Sequence, residues 1–114
     1  MSECIFCKIA SGDIQANVTY EDDKIIAFKD SNPQSPIHVL IIPKEHIPSA
    51  NYIDENNSDI IGEIFVLINK IAKEMGLDKQ GYRIVNNCGE FGGQSVDHIH
   101  FHLLGGRQLQ WPPG

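Results

Sequence analysis

The seven residues His98-Ile99-His100-Phe101-His102-Leu103-Leu104 constrain this chain more than any other stretch. Imidazoles alternate with apolar side chains, and a period of two is that of a β-strand. Successive residues of a strand point to opposite faces. His98, His100 and His102 therefore share one face, and Ile99, Phe101 and Leu103 share the other. Neighbours on one face lie about 6.5–7 Å apart along the strand. The apolar face anchors in a core while the opposite face lines up three titratable rings. A half-buried strand ordinarily fills its polar positions with Thr, Lys, Glu or Ser. Here three of the five histidines in the chain occupy one run. The run reads as chemistry rather than as a solvated face.

The 114 residues read as one domain, 1–114, with enough chain to bury a core without staples. The formal net charge is -6. That argues against a groove tracking a nucleic-acid backbone, which needs basic patches. Arg83 and Arg107 are the only arginines. A phosphate ligand would then be held by histidines, small polar residues and backbone N–H groups. No apolar run approaches membrane-spanning length. Met1-Ser2-Glu3-Cys4 lacks the basic and apolar segments of a signal peptide, so a cytoplasmic location is expected, with reduced cysteines.

Along the chain, a short helix is expected over roughly Cys4–Ala10, capped by Ser2 and stopped by Gly12. It carries Cys4-Ile5-Phe6-Cys7, which reads as half a zinc site, a redox pair or two small buried residues. A thioredoxin-like motif follows a strand and opens a longer helix, so the redox reading fits poorly. Val18–Glu21 and Lys24–Lys29 are strands joined by a tight turn at Asp22-Asp23. A loop of turn formers, Asp30 to Pro36, leads into His38–Pro43, apolar enough to be a central strand buried on both faces. Asn57 or Ser58 caps one long helix that runs to about Met75 and stops at Gly76. Its apolar stripe is Ile60, Ile61, Ile64, Phe65, Ile68, Ile71, Ala72 and Met75. Gly81–Asn87 is the fourth strand, a glycine-rich loop follows from Cys88 to Ser95, and the histidine strand comes last. Short turns between sequential strands favour an antiparallel α+β sheet with one long and one short helix over a doubly wound parallel one.

A neutral imidazole is a good nucleophile near neutral pH when its second nitrogen is oriented by a hydrogen bond. The Gly92-Gly93-Gln94-Ser95 loop offers backbone N–H groups and a hydroxyl. Together these suit attack on phosphorus, with donors around its non-bridging oxygens. His100 has a histidine on each side and is the natural nucleophile; His102 is a candidate donor to the phosphate. Three metal ligands from one strand are awkward, because the outer pair lies about 13 Å apart. A mixed tetrahedral site fits better: His98 with Cys4, Cys7 and His46, leaving His100 and His102 free. Spacing alone leaves a non-metal role for the cysteines equally open.

The alternating run resembles the signature of the histidine triad superfamily of nucleotide hydrolases and transferases. Supporting stretches are Cys4 to Ile9, Pro36 to Ile47, Gly92 to Val96, and Leu104 to Arg107 with Trp111-Pro112-Pro113-Gly114. The ending is similar to that of the histidine triad nucleotide-binding (Hint) branch. The resemblance implies a homodimer whose two five-stranded antiparallel sheets join into one of ten strands. It implies cleavage of the P–N bond of purine nucleoside 5′-phosphoramidates, such as AMP-amides and AMP-lysine, through a nucleotidyl-histidine intermediate. By match to the family pattern, His100 is the nucleophile, His102 contacts the α-phosphate, and His38 supports the nucleophile from a neighbouring strand. Asn87, Gln94 and Ser95 match phosphate-side contacts, and Asp30 matches the ribose-holding residue. Phe6, Ile14 and Phe28 fall where the family lines its purine pocket, and Trp111 matches a tail residue reaching the partner's site. Cys4, Cys7, His46 and His98 resemble the zinc-binding form of microbial members, so a structural Zn2+ is implied and no organic cofactor. Asp97 and Ser31 depart from common family residues and bear on substrate preference. Two other functions fit the same pattern: cleavage of dinucleoside polyphosphates or nucleotidyl transfer, and a non-catalytic nucleotide-sensing dimer.

Overall fold

The computed structural model of the protein describes residues 3–114. Helix α1 (Ile5–Ser11) precedes strands β1 (Val18–Glu21), β2 (Ile25–Lys29) and β3 (Ile37–Pro43). Helix α2 (Ser58–Glu74) follows, then β4 (Arg83–Val85) and β5 (Phe101–Gly105). The strands form one sheet in the order β1-β2-β3-β5-β4, every neighbouring pair antiparallel. This is the five-stranded α+β arrangement expected from the sequence.

Strand β3 is central and buried on both faces, as its apolar run requires. Val39 and Ile41 join the core beneath α2, with Ile64, Ile68, Ile71, Phe101 and Leu103. Leu40 and Ile42 point the other way, into a smaller cluster with Phe6 and Ile9 of α1 and with Ile26 and Phe28. The sheet is thus a middle layer, with α2 on one side and α1 on the other. His38 lies on the α1 side with Leu40, and Leu40 pairs across the ladder with His102.

Several boundaries depart from expectation. Strand β5 starts at Phe101, so His98 and His100 stand just before the regular ladder. The reason lies opposite them. Ile41 pairs with Phe101, and two residues beyond Ile41 is Pro43, which has no N–H to give. The chain finds substitutes: Ile99 N–H donates to the Ile47 carbonyl at 2.6 Å. The alternation of faces survives, because Ile99 is still in the α2 core while His98 and His100 meet Phe6 of α1. Strand β4 pairs only over Arg83–Val85, shorter than Gly81–Asn87, and β2 and β3 begin at Ile25 and Ile37. Cys4 occupies the cap position of α1, with its Sγ accepting from Cys7 N–H at 3.3 Å. Ser2, expected there, lies outside the described residues. In α2, Leu67 is buried although it was not in the predicted stripe, and Phe65 is 45% exposed. Among the described residues no helix is long and apolar enough to cross a membrane.

Candidate active site and metal cluster

His100 is almost fully buried, and its Nδ1 lies 2.8 Å from the His98 carbonyl oxygen. A carbonyl only accepts, so Nδ1 carries the proton and Nε2 keeps its lone pair. That is the protonation pattern a nucleophilic imidazole needs. The Phe6 ring meets His100 edge-on with centroids 5.0 Å apart, and the His102 ring stands 5.2 Å from His100.

A second line of hydrogen bonds sets His102. The Gln34 backbone N–H donates to His38 Nδ1 at 3.0 Å, so the His38 proton sits on Nε2. His38 Nε2 lies 2.9 Å from His102 Nδ1 and donates to it. The proton of neutral His102 is therefore on Nε2, a buried atom with no partner in the protein. A buried N–H without an acceptor is costly, on the order of 1–3 kcal/mol, and such groups mark places where a ligand atom is wanted. Asp30 Oδ2 stands 3.4 Å from His38 Nε2, while Asp30 Oδ1 accepts the Asn32 N–H at 2.8 Å. The contact of His38 is thus with His102 and Asp30, and it reaches His100 only through His102.

Burial lowers the pKa of His38 against the pull of Asp30. Burial, with His100 and His38 beside it, pushes His102 down to about 4. His38 and His102 are therefore neutral near pH 7. The unfolded chain protonates His102 near its ordinary value of 6.5, the folded chain only near 4. Between those values the unfolded state binds more protons, so stability rises with pH across the window and is lost as pH falls from 6.5 toward 4. His102 contributes on the order of 3 kcal/mol to this dependence. Urea melts of wild type and His102→Asn across this window measure it; equal pH slopes for the two proteins contradict it.

Next to the triad, Cys4, Cys7, His46 and His98 bring four ligand atoms within 4.8 Å of one another. Cys7 Sγ lies 3.2 Å from His46 Nδ1 and 3.5 Å from His98 Nδ1, and Cys4 Sγ lies 3.4 Å from His98 Nδ1. Zinc–sulfur and zinc–nitrogen bonds of about 2.3 and 2.0 Å set tetrahedral edges of roughly 3.3–3.8 Å, so the set has the size of a zinc site. His98 Nε2 donates to the Pro43 carbonyl at 2.8 Å, which leaves Nδ1 free to ligate. The chemistry and tautomer of the donor set fit a borderline-soft divalent cation.

The HIT domain family matches residues 11–109. The chain belongs to the HIT domain family. A "14 kDa zinc-binding protein" of Brassica juncea is 48% identical over 114 residues, 98% of this chain and all of that protein. A HIT family hydrolase from Legionella pneumophila has a TM-score of 0.97 at 51% identity, covering 98% of this chain and 100% of the other. A histidine triad nucleotide-binding protein from Candida albicans has a TM-score of 0.83 at 35% identity, covering 96% of this chain and 83% of the other.

This HIT domain brings together most of the residues singled out from its sequence, but not all in the expected roles. Phe6 and Phe28 touch edge-on at 5.7 Å and are both buried, while Ile14 is 37% exposed. The Gln94 side chain is occupied by the loop itself: Nε2 donates to the Pro48 and Val96 carbonyls and Oε1 accepts the Gly89 N–H. Gln94 thus braces the glycine-rich loop. The glycines serve the same end, since a Cβ on Gly92 would collide with the Cys88 carbonyl. Ser95 is exposed, and Trp111 is 80% exposed in the tail. Neither they nor Asn87 make a ring contact or hydrogen bond with the triad among the described residues. Asn86 was missed: its Nδ2 donates to the His100 carbonyl at 2.9 Å, replacing the ladder bond that β4 does not supply. Its sequence signal was slight, a polar residue where β4 leaves the sheet.

Proposed function

We propose that the protein is a hydrolase of purine nucleoside 5′-phosphoramidates that acts through a nucleotidyl-His100 intermediate. One observation carries this reading: a buried histidine with its lone pair on Nε2 stands beside an unpartnered buried His102 Nε2–H. The first is a nucleophile for phosphorus, and the second is a donor for a non-bridging phosphate oxygen. His100 Nε2 forms a bond to the α-phosphorus as the P–N bond to the amine breaks. The amine departs with a proton drawn from solvent, and one is returned to solvent when water attacks the nucleotidyl-histidine. Water then cleaves the P–Nε2 bond, which releases the nucleoside monophosphate and restores neutral His100.

His38, with Asp30 and the Gln34 N–H, holds His102 in the donating tautomer. Ser95, the loop backbone and Asn87 serve the phosphate side in this reading. Asp30 also serves the ribose hydroxyls, and Phe6, Phe28 and Ile14 the base. Cys4, Cys7, His46 and His98 would hold a Zn2+ that supplies a structural cross-link. In this reading the protein works in the cytoplasm as a homodimer, with Trp111 reaching the partner's site. The hydrolase and nucleotide-binding names of its structural relatives support the reaction class.

Brief mixing with a fluorogenic AMP-amide, quenched without acid, tests the proposal by peptide mass spectrometry. The expected result is amine release with a nucleotidyl mass on the peptide carrying His100. An adduct on any other residue, or AMP binding with neither adduct nor amine release, overturns it. Faster cleavage of diadenosine tetraphosphate than of the amide would keep the nucleophile and move the substrate class.

A further inference from the structure

The metal cluster and the nucleophile share a residue. The imidazole of His98 is a ligand candidate through Nδ1, and its backbone carbonyl is the acceptor that holds the His100 Nδ1 proton. The same cluster grips the first turn of α1 through Cys4 and Cys7, and Phe6 between them packs edge-on against His98 at 5.9 Å and His100 at 5.0 Å. A helix of seven residues is too short to persist without such anchors. Two independent mechanical routes therefore run from the four ligands to the His100 ring. One is the His98 carbonyl; the other is the Phe6 wall.

We infer that metal binding at Cys4, Cys7, His46 and His98 sets the tautomer and position of His100, so that His98 and Phe6 are positioning residues and the metal controls turnover without touching substrate. His98 is held at three points: Nδ1 by the thiol groups, Nε2 by the Pro43 carbonyl at 2.8 Å, and the following backbone by the Ile99–Ile47 bond at 2.6 Å. Without a metal to bind it to both sulfurs, Nδ1 keeps only the long sulfur contacts of 3.4 and 3.5 Å, and the ring turns more freely about the other two points. The carbonyl then swings, and His100 samples both neutral tautomers. Only the one with the Nε2 lone pair is competent.

The catalytic consequence rests on His100 being the nucleophile; the coupling itself does not. His46 is the exposed ligand, so His46→Ala weakens the site without opening the core. The imidazole nitrogens of His100, followed by long-range nitrogen–proton NMR, report the tautomer directly. In zinc-loaded wild type a single Nδ1–H form is expected. In His46→Ala at low zinc the His100 signals should move toward the average of two tautomers, and kcat for an AMP-amide should fall about 10- to 100-fold with little change in KM. Excess zinc should restore both. Zinc removed from wild type by a chelator, with folding checked by circular dichroism, gives a second measurement of the same tautomer. A metal-free, folded protein that keeps one Nδ1–H tautomer overturns the inference, whatever its activity. A tautomer shift with no change in kcat would instead overturn the nucleophile assignment and leave the coupling standing.

Discussion

His100→Ala and His100→Asn are expected to lower kcat on an AMP-amide by at least about 1,000-fold, the loss usual when a covalent nucleophile is removed. The argument rests on there being no stand-in. His102 presents Nε2–H, not a lone pair, because His38 donates to its Nδ1. His38 has both nitrogens engaged, one by the Gln34 N–H and the other by His102. The ring of His98 is committed to the Pro43 carbonyl and the cysteines. Nucleotide binding should persist in the Asn variant, since the His102 donor and the loop are untouched. Titration calorimetry with AMP separates the two effects. Either variant retaining more than about a tenth of wild-type kcat would rule out attack by His100, because general acid–base roles alone account for about 100- to 10,000-fold.

The double substitution Cys4→Ser, Cys7→Ser is expected to reduce zinc from about one equivalent per chain to a small fraction, measured by elemental analysis. Serine keeps the shape of the side chain and removes the soft ligand. Stability should follow. Without the cross-link α1 is held mainly by Phe6 and Ile9, each worth about 1.5–3 kcal/mol of burial. Partial release of both lowers Tm by roughly 10 °C for a chain of this size. Metal retained undiminished in the double variant would refute the ligand set. Metal lost with Tm unchanged would show that α1 docks by its apolar face alone.

Local pattern carried much of the architecture. Alternation in residues 98–104, an apolar run at β3 and helical spacing after Asn57 are nearest-neighbour properties, and each appears as a face or a stripe in the structure. The metal ligands came from three separate segments, and their grouping was legible only because the residue types are few and chemically matched. What the sequence by itself determined was which side chains share a face, since that follows from the period of the backbone. Only the tertiary structure decided where the ladder ends, because Pro43 lies opposite the histidine run through long-range pairing. It also decided the tautomers. The proton on each ring depends on which carbonyl or N–H stands across from it: His98 for His100, Gln34 and then His38 for His102. Those partners are fixed by packing of distant segments. The same holds for Asn86, whose importance comes from a bond that β4 is too short to make.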